Sequence, residues 1–261
     1  MQRNMKDIDA LVEFSVELAD LSRSIIRSHS ILDVNYEIKD DGSPVTPVDR
    51  EIEKSLRDRI DARYPYHGIL GEEFPSRDTT AERVWVIDPI DGTKQYATGI
   101  PVYGTLIGLA EEGQFVLGVM DFPATGDRWI GGRDYPTCWN SRPVTTAQCI
   151  DLCGATVAPG DPNRGSAEEN FRSSKLADAG SFRVYGAGSY GFAMVASGKL
   201  DIAIDFGLDP FDFAAPVAIV EGAGGSATDW CGRPLTLESQ GRTLFLGNPA
   251  LLGTVVDLLQ A

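Results

Sequence analysis

Val84-Trp85-Val86-Ile87-Asp88-Pro89-Ile90-Asp91-Gly92-Thr93 changes character at its fifth residue. The four residues before Asp88 are apolar and mostly β-branched, the composition of a buried strand. Pro89 has no N–H, which predicts that strand pairing stops at Asp88. Two carboxylates three residues apart then leave the strand end, followed by Gly92, Thr93 and a polar segment, Lys94-Gln95-Tyr96, that opens a helix. Such an exit aims both carboxylates and the Ile90 carbonyl into one space. Oxygen ligands at that density suit a hard divalent cation, Mg2+ foremost. The Gly92 and Thr93 amides, at a helix start, face an anion such as phosphate. Asp-Pro and Asp-Gly are also common turn formers, so this stretch taken alone reads first as a plain turn, and it is the company of acids elsewhere in the chain that counts against that.

Upstream, Ile69-Leu70-Gly71-Glu72-Glu73 reads as a brief strand finishing in paired acids. Before it, Thr46-Pro47-Val48-Asp49 opens a helix, with Thr as N-cap, Pro in the first turn and Asp three residues after the cap. Its stripe is Val48, Ile52, Leu56 and Ile60, and Tyr64-Pro65 ends it. Residues 36–39 form a short strand closed by the turn Asp40-Asp41-Gly42-Ser43-Pro44. Residues 5–28 form one long helix, with Ile8, Leu11, Val12, Leu18, Leu21 and Ile25 on a single stripe. Downstream, residues 103–110, 115–121 and 128–131 read as strands, the first two joined by a Glu112-Gly113 hairpin turn. The first part of the chain is therefore an antiparallel sheet with two long helices, and a boundary falls near Ile150.

After residue 155 short strands (155–158, 182–185, 200–205) alternate with helices (around 168–179, 189–197, 212–221), the pattern of a smaller α/β unit. Residues 244–246 form a last strand, and Asn248-Pro249 caps a final helix. The expected organisation is residues 1–150, α+β, and residues 151–261, α/β.

The 261 residues carry 38 acids against 23 bases, a net charge of −15. That balance, with no Lys/Arg cluster, argues against nucleic acid or an anionic membrane surface as partner. No apolar run approaches ~18 residues and no signal peptide is visible, so a soluble, cytoplasmic protein is expected. Cys138, Cys149, Cys153 and Cys231 are scattered, with no partners that complete a zinc site; free buried thiols are expected. The two histidines, His29 and His67, lie after the first helix and in a turn, neither placed for acid–base work.

Two glycine patterns belong to another class of protein. Gly186-Ala187-Gly188-Ser189-Tyr190-Gly191 matches G-x-G-x-x-G, follows a strand and opens a helix, with Asp205 downstream. Its helix is short for a dinucleotide crossover and no second half follows, so a tight turn lining a pocket is the better reading. Residues 160–165 have P-loop glycine spacing without the following Lys. The acids are more informative. Glu72, Asp88 and Asp91 sit at strand ends and Asp212 at a probable helix start, although Asp212 also suits an N-cap and Asp49 a capping box.

Gly71-Glu72-Glu73, Trp85-Val86-Ile87-Asp88-Pro89-Ile90-Asp91-Gly92-Thr93, Asp212 with Ala214-Ala215, and Glu221-Gly222-Ala223-Gly224-Gly225 together resemble the inositol monophosphatase family of Mg2+-dependent, Li+-sensitive phosphomonoesterases. The likeness spans residues 39–237. Residues 93–107, residues 118–131 with Asp127-Arg128-Trp129, and residues 208–214 look most like the histidinol-phosphate phosphatase branch. Two departures concern the substrate alcohol: Gly188-Ser189 stands where that branch usually has Cys-Asp, closer to inositol phosphatases, and Phe211 stands where Trp or Tyr is usual.

The resemblance implies a layered α-β-α-β-α sandwich of the inositol monophosphatase and fructose-bisphosphatase type, and a homodimer. It implies two or three Mg2+ ions held by Glu72, Asp88, the Ile90 carbonyl, Asp91 and Asp212. Thr93 and Asp49 would orient the attacking water and take its proton, with Glu72 beside them. Asp91 and the Gly92 and Thr93 amides would take the phosphate, and Ser189, Asp205 and Asp209 would read the alcohol. Asp205 falls seven residues before Asp212, where inositol phosphatases carry an acid that contacts sugar hydroxyls. Histidinol is cationic, so Asp205 or Asp209 would attract its ammonium. Inositol phosphate or a nucleotide 3′-phosphate are the alternative substrates. A binding role beside the transcription machinery, known among relatives, is the alternative class.

Overall fold

A computed structural model describes residues 5–40 and 42–261; Asp41 of the 40–44 turn lies outside the described residues. Helix α1 (Met5–Ser28) buries Ile8, Leu11, Val12, Leu18, Ala19 and Ile26. The buried line passes through Ser22, so Leu21 and Ile25 of the expected stripe are half-buried at its margin. A small hairpin, β1 (Glu37–Ile38) and β2 (Pro44–Val45), leads into α2 (Pro47–Arg63). Thr46 is the N-cap of α2, Pro47 its first residue, and Asp49 closes the capping box.

The first sheet runs β3 (Gly68–Gly71), β4 (Arg83–Asp91), β5 (Gly104–Glu111), β6 (Gln114–Phe122), β7 (Asp127–Gly132), β8 (Tyr135–Trp139), β9 (Arg142–Pro143), in that spatial order. Only the β3–β4 pair is parallel. A six-residue helix, α3 (Thr93–Thr98), joins β4 to β5. The second half supplies β10 (Thr156–Pro159), α4 (Ala167–Ala179), β11 (Phe182–Arg183), α5 (Gly188–Ala196), β12 (Ile202–Asp205), α6 (Pro210–Gly222), β13 (Ser226–Thr228), β14 (Thr243–Leu246) and α7 (Leu252–Gln260). Its strands form a mixed sheet in the order β11-β10-β12-β14-β13.

Three apolar cores separate the layers. One lies between α1, α2 and the first sheet, around Leu18, Ile52, Leu56, Trp85 and Ile87. The next holds α5 and α6 between the two sheets, around Val86, Trp129, Phe192, Phe213 and Phe245. The third packs α4 and α7 on the outer face of the second sheet, around Val157, Leu176, Ile204 and Val255. The layers are thus α-β-α-β-α. The sheets use residues on either side of Ile150, but α5 and α6 join the core of the first sheet. Helix α6 comes very close to that sheet because β5 and β6 present Gly108 and Gly118 to it. A Cβ on Gly108 would lie 2.7 Å from the Ala214 Cβ, and one on Gly118 2.9 Å from the Ala215 Cα.

Four expectations are corrected. Strand β4 does not stop at Asp88 but runs through Pro89 to Asp91. A bulge makes this possible: Asp88 pairs with Leu106 and Asp91 with Gly104, so β4 has one more residue than β5 over this span. Pro89 sits in the bulge, where no ladder donor is needed, and its carbonyl accepts from Thr105 Oγ1 at 2.8 Å. Second, β8 and β9 extend the first sheet beyond the strands read from sequence. Third, β3 ends at Gly71, leaving Glu72 and Glu73 in the following turn. Fourth, the thiols are free but not buried: Cys138 and Cys149 are half-buried, Cys153 and Cys231 exposed. No helix among the described residues is long and apolar enough to cross a membrane.

Candidate functional site

In a regular strand, residues three apart point to opposite faces. The bulge in β4 cancels that: Val84, Val86 and Asp88 face the α5/α6 layer, whereas Ile90 turns into the core under α1 and α2. Asp91 therefore emerges on the same side as Asp88. Helix α6 brings a third carboxylate from the other half of the chain. Asp212 is the third residue of α6 rather than its N-cap; Asp209 holds the cap position and its N–H donates to Asp212 Oδ2 at 2.7 Å. Carboxylate oxygens of Asp88, Asp91 and Asp212 lie within 4.8 Å of one another.

These three acids open into a cleft of about 840 Å3, lined also by Glu72, Ile90, Gly92, Thr93, Asp205 and Asp209. Asp49 is fully buried at the start of α2, its Oδ2 accepting from the Thr46 N–H at 2.9 Å. Its Oδ1 lies 3.4 Å from the Thr93 hydroxyl, which is also 3.1 Å from the Ile90 carbonyl. One hydroxyl proton serves one of these acceptors at a time. Ser189 donates its hydroxyl to Asp91 Oδ2 from the first turn of α5. Helix α5 is held in place by Tyr190, whose hydroxyl donates to Asp127 Oδ2 at 2.8 Å, and by stacking of its ring edge on Phe122 and Trp129.

The electrostatics are those of acids crowded without enough cations. Burial pushes Asp88 well above the usual carboxylate range, and the neighbouring Glu72, Asp91, Asp212 and Asp49 push it further. Asp212 is raised by burial and by Asp91, and Asp91 by burial against the opposing Ser189 hydrogen bond. Burial raises Asp49 to about 6, partly offset by Thr46, and Glu72 to about 7 despite its contact with Lys39. Asp88 Oδ1 is buried with no hydrogen-bond partner. A buried, unpartnered carboxylate oxygen among like charges is costly, and a hard cation with oxygen coordination is the group that relieves it. The donor set fits Mg2+.

Sequence reasoning passed over several groups here. Lys39 Nζ reaches Glu72 Oε1 at 2.7 Å and Glu73 Oε1 at 2.6 Å. Arg164, inside the 160–165 loop, lines the cleft and draws down the carboxyls of Asp91, Asp205 and Asp212. Asp205 is nonetheless raised to about 6 by burial. The glycine density of 160–165 marks a loop, but nothing in the sequence says which wall of which cleft it forms. Gly186 and Gly188, both in the left-handed region, shape the turn from β11 into α5 and line the same cleft. His29 contacts Glu51 at 3.4 Å, and His67 accepts from Trp85 Nε1 at 3.1 Å; neither lines the cleft.

A model of the inositol monophosphatase family matches residues 7–258. The chain belongs to the inositol monophosphatase family. In this metal-dependent phosphatase family member, the acidic cluster joins strand β4 of the first sheet to helix α6. The bifunctional phosphatase IMPL2, chloroplastic, of Arabidopsis thaliana is 38% identical over 235 residues, 89% of this chain and 68% of that protein. A histidinol-phosphatase of Chlorobaculum parvum is 37% identical over 209 residues, 78% of this chain and 79% of that protein. Among solved structures, an inositol monophosphatase from Zymomonas mobilis superposes with a TM-score of 0.89 at 34% identity, over 99% of this chain and 100% of that one. The relatives therefore carry more than one substrate name within one fold.

Proposed function

We propose that this family phosphatase is a Mg2+-dependent hydrolase of histidinol phosphate, acting on a small soluble metabolite in the cytoplasm as a homodimer. The observation that carries the chemistry is the convergence of Asp88, Asp91 and Asp212, with Asp88 Oδ1 buried and unpartnered. With Glu72 and the Ile90 carbonyl, these residues would hold two or three Mg2+ ions. When bound, such ions neutralise charge on the phosphoryl and leaving oxygens and acidify water.

The chain's own residues do the rest. Thr93 lines the cleft and its hydroxyl lies within hydrogen-bonding reach of Asp49, buried behind it, so Thr93 would orient an attacking water and Asp49 take the proton by way of that hydroxyl. The Gly92 and Thr93 amides would donate to the phosphate, and Ser189 fixes the rotamer of Asp91. Neither histidine nor cysteine lines the cleft, so the reading involves direct displacement by water.

The alcohol would sit against Asp205 and Asp209, on the side of the cleft that α6 and β12 build. Their negative charge supports a cationic amino alcohol such as histidinol, as does the Chlorobaculum relative. Arg164 partly offsets that charge. The Zymomonas structure and the Gly188-Ser189 turn favour inositol monophosphate as the second reading. Steady-state kinetics on histidinol phosphate, inositol 1-phosphate and a nucleoside 3′-phosphate separate them. The proposal expects kcat/KM highest for histidinol phosphate; a higher value for inositol 1-phosphate reverses the assignment.

A further inference from the structure

Glu72 projects from the turn after β3, where Lys39 Nζ bridges the side chains of Glu72 and Glu73 from one side. It is gripped from beneath by α2. Asp49, Glu53 and Arg57 recur every fourth residue on α2 and so share one face, along the edge of the sheet where β3 ends. Glu53 is fully buried. Its Oε2 accepts from the Glu73 N–H at 2.7 Å and its Oε1 from the Phe74 N–H at 3.2 Å. Arg57 donates through Nε to Glu53 Oε1 at 2.8 Å and through an Nη to the Phe74 carbonyl at 3.0 Å. A Cβ on Gly71 would run into the Glu53 carboxylate. The turn is therefore pressed onto Glu53 at Gly71 and hydrogen-bonded to it at the next two residues beyond Glu72.

A buried carboxylate is costly unless donors surround it. Here three donors do so, two of them the backbone N–H groups of the two residues that follow Glu72, which faces the cleft. Charge-assisted bonds of this kind are short and directional. They give the turn a single position where isolated loop backbone would sample several.

We infer that Glu53, backed by Arg57, is a positioning residue for Glu72, setting the cation affinity of the cleft without touching its contents. The inference rests on Glu72 being a cation ligand. Replacing Glu53 removes no cleft carboxylate but frees the turn that carries Glu72, and groups that orient metal ligands typically contribute about 10–100-fold in affinity.

The test is Mg2+ binding by isothermal titration calorimetry to the metal-free full chain, with thermal melting of each variant. Glu53→Gln keeps one carbonyl oxygen for a backbone N–H but sets an amide against the other; Glu53→Leu keeps neither. The expected result is Mg2+ affinity lowered by ~10-fold or more in Glu53→Leu and by less in Glu53→Gln. Should Glu53→Leu fail to fold, Glu53→Gln against the wild type decides. Wild-type Mg2+ affinity in a folded Glu53→Gln with a lowered melting temperature would mean a purely structural role, and would overturn the inference. Two controls separate this from the underlying reading. If Asp88→Asn or Glu72→Gln leaves Mg2+ binding unchanged, the cation site itself is wrong. If both weaken binding while the Glu53 variants do not, the positioning role alone fails.

Discussion

Asp88 is the residue where stability and chemistry conflict most openly. Its carboxyl is buried, lacks a partner at Oδ1 and faces four other acids. Neutralising it in the metal-free protein removes that repulsion, so Asp88→Asn is expected to melt at a higher temperature than the wild type at pH 8 without metal. The same variant should show no melting shift on adding Mg2+. This is the stability–function exchange expected of active sites. The sign with pH follows. Carboxyls raised in the folded state favour folding fully below their unfolded values and lose that contribution as pH rises through their folded values. Asp49 and Asp205 at about 6 and Glu72 at about 7 place the loss between roughly pH 4 and 7. The metal-free melting temperature should therefore fall from pH 5 to pH 8, while Mg2+ affinity rises over the same range as protons leave the ligands. Thr93→Ala should keep its melting temperature and its Mg2+ affinity but lose about 100-fold or more in kcat.

At the scale of elements, α6 is the piece that carries Asp212 to the other two acids. Its closeness to β5 and β6 depends on Gly108 and Gly118 facing Ala214 and Ala215. Gly118→Ala should push the helix outward, costing about 1–3 kcal/mol, seen as a melting temperature several degrees lower, with weaker Mg2+ binding. Unchanged binding beside a lowered melting temperature would show that Asp212 tolerates the shift. The helices were legible because their signals are local: Thr46, Pro47 and Asp49 mark the start of α2, and four-residue spacing marks its buried face. The bulge in β4 was not, since Pro89 alone argues for a strand end and only the register against β5 shows the chain continuing. Asp88 and Asp91 were singled out by sequence while the device that turns them to one face was hidden. Strands β8 and β9 were missed because Pro136 and the Asn140-Ser141 turn interrupt any alternation; both turn residues have positive φ.

For the molecule as a whole, the site exists only because two sheets from different halves of the chain enclose α5 and α6. The family resemblance made the layers and the clustering of Asp88, Asp91 and Asp212 legible. It said nothing of Lys39, Glu53 or Arg164, whose partners at the site are distant in sequence and brought together by folding alone: Lys39 lies 33 residues from Glu72, and Glu53 20 from Glu73. Charge and hydrophobic spacing report burial, not which buried groups meet. The most direct test of a cation site made by converging carboxylates is phosphate release from histidinol phosphate by the wild type and by Asp88→Asn, each with Mg2+ and with a chelator. The account predicts turnover by the wild type only with Mg2+, and a loss of at least about 100-fold in a fully folded Asp88→Asn. Wild-type turnover in the presence of chelator, or undiminished turnover by Asp88→Asn, would contradict it.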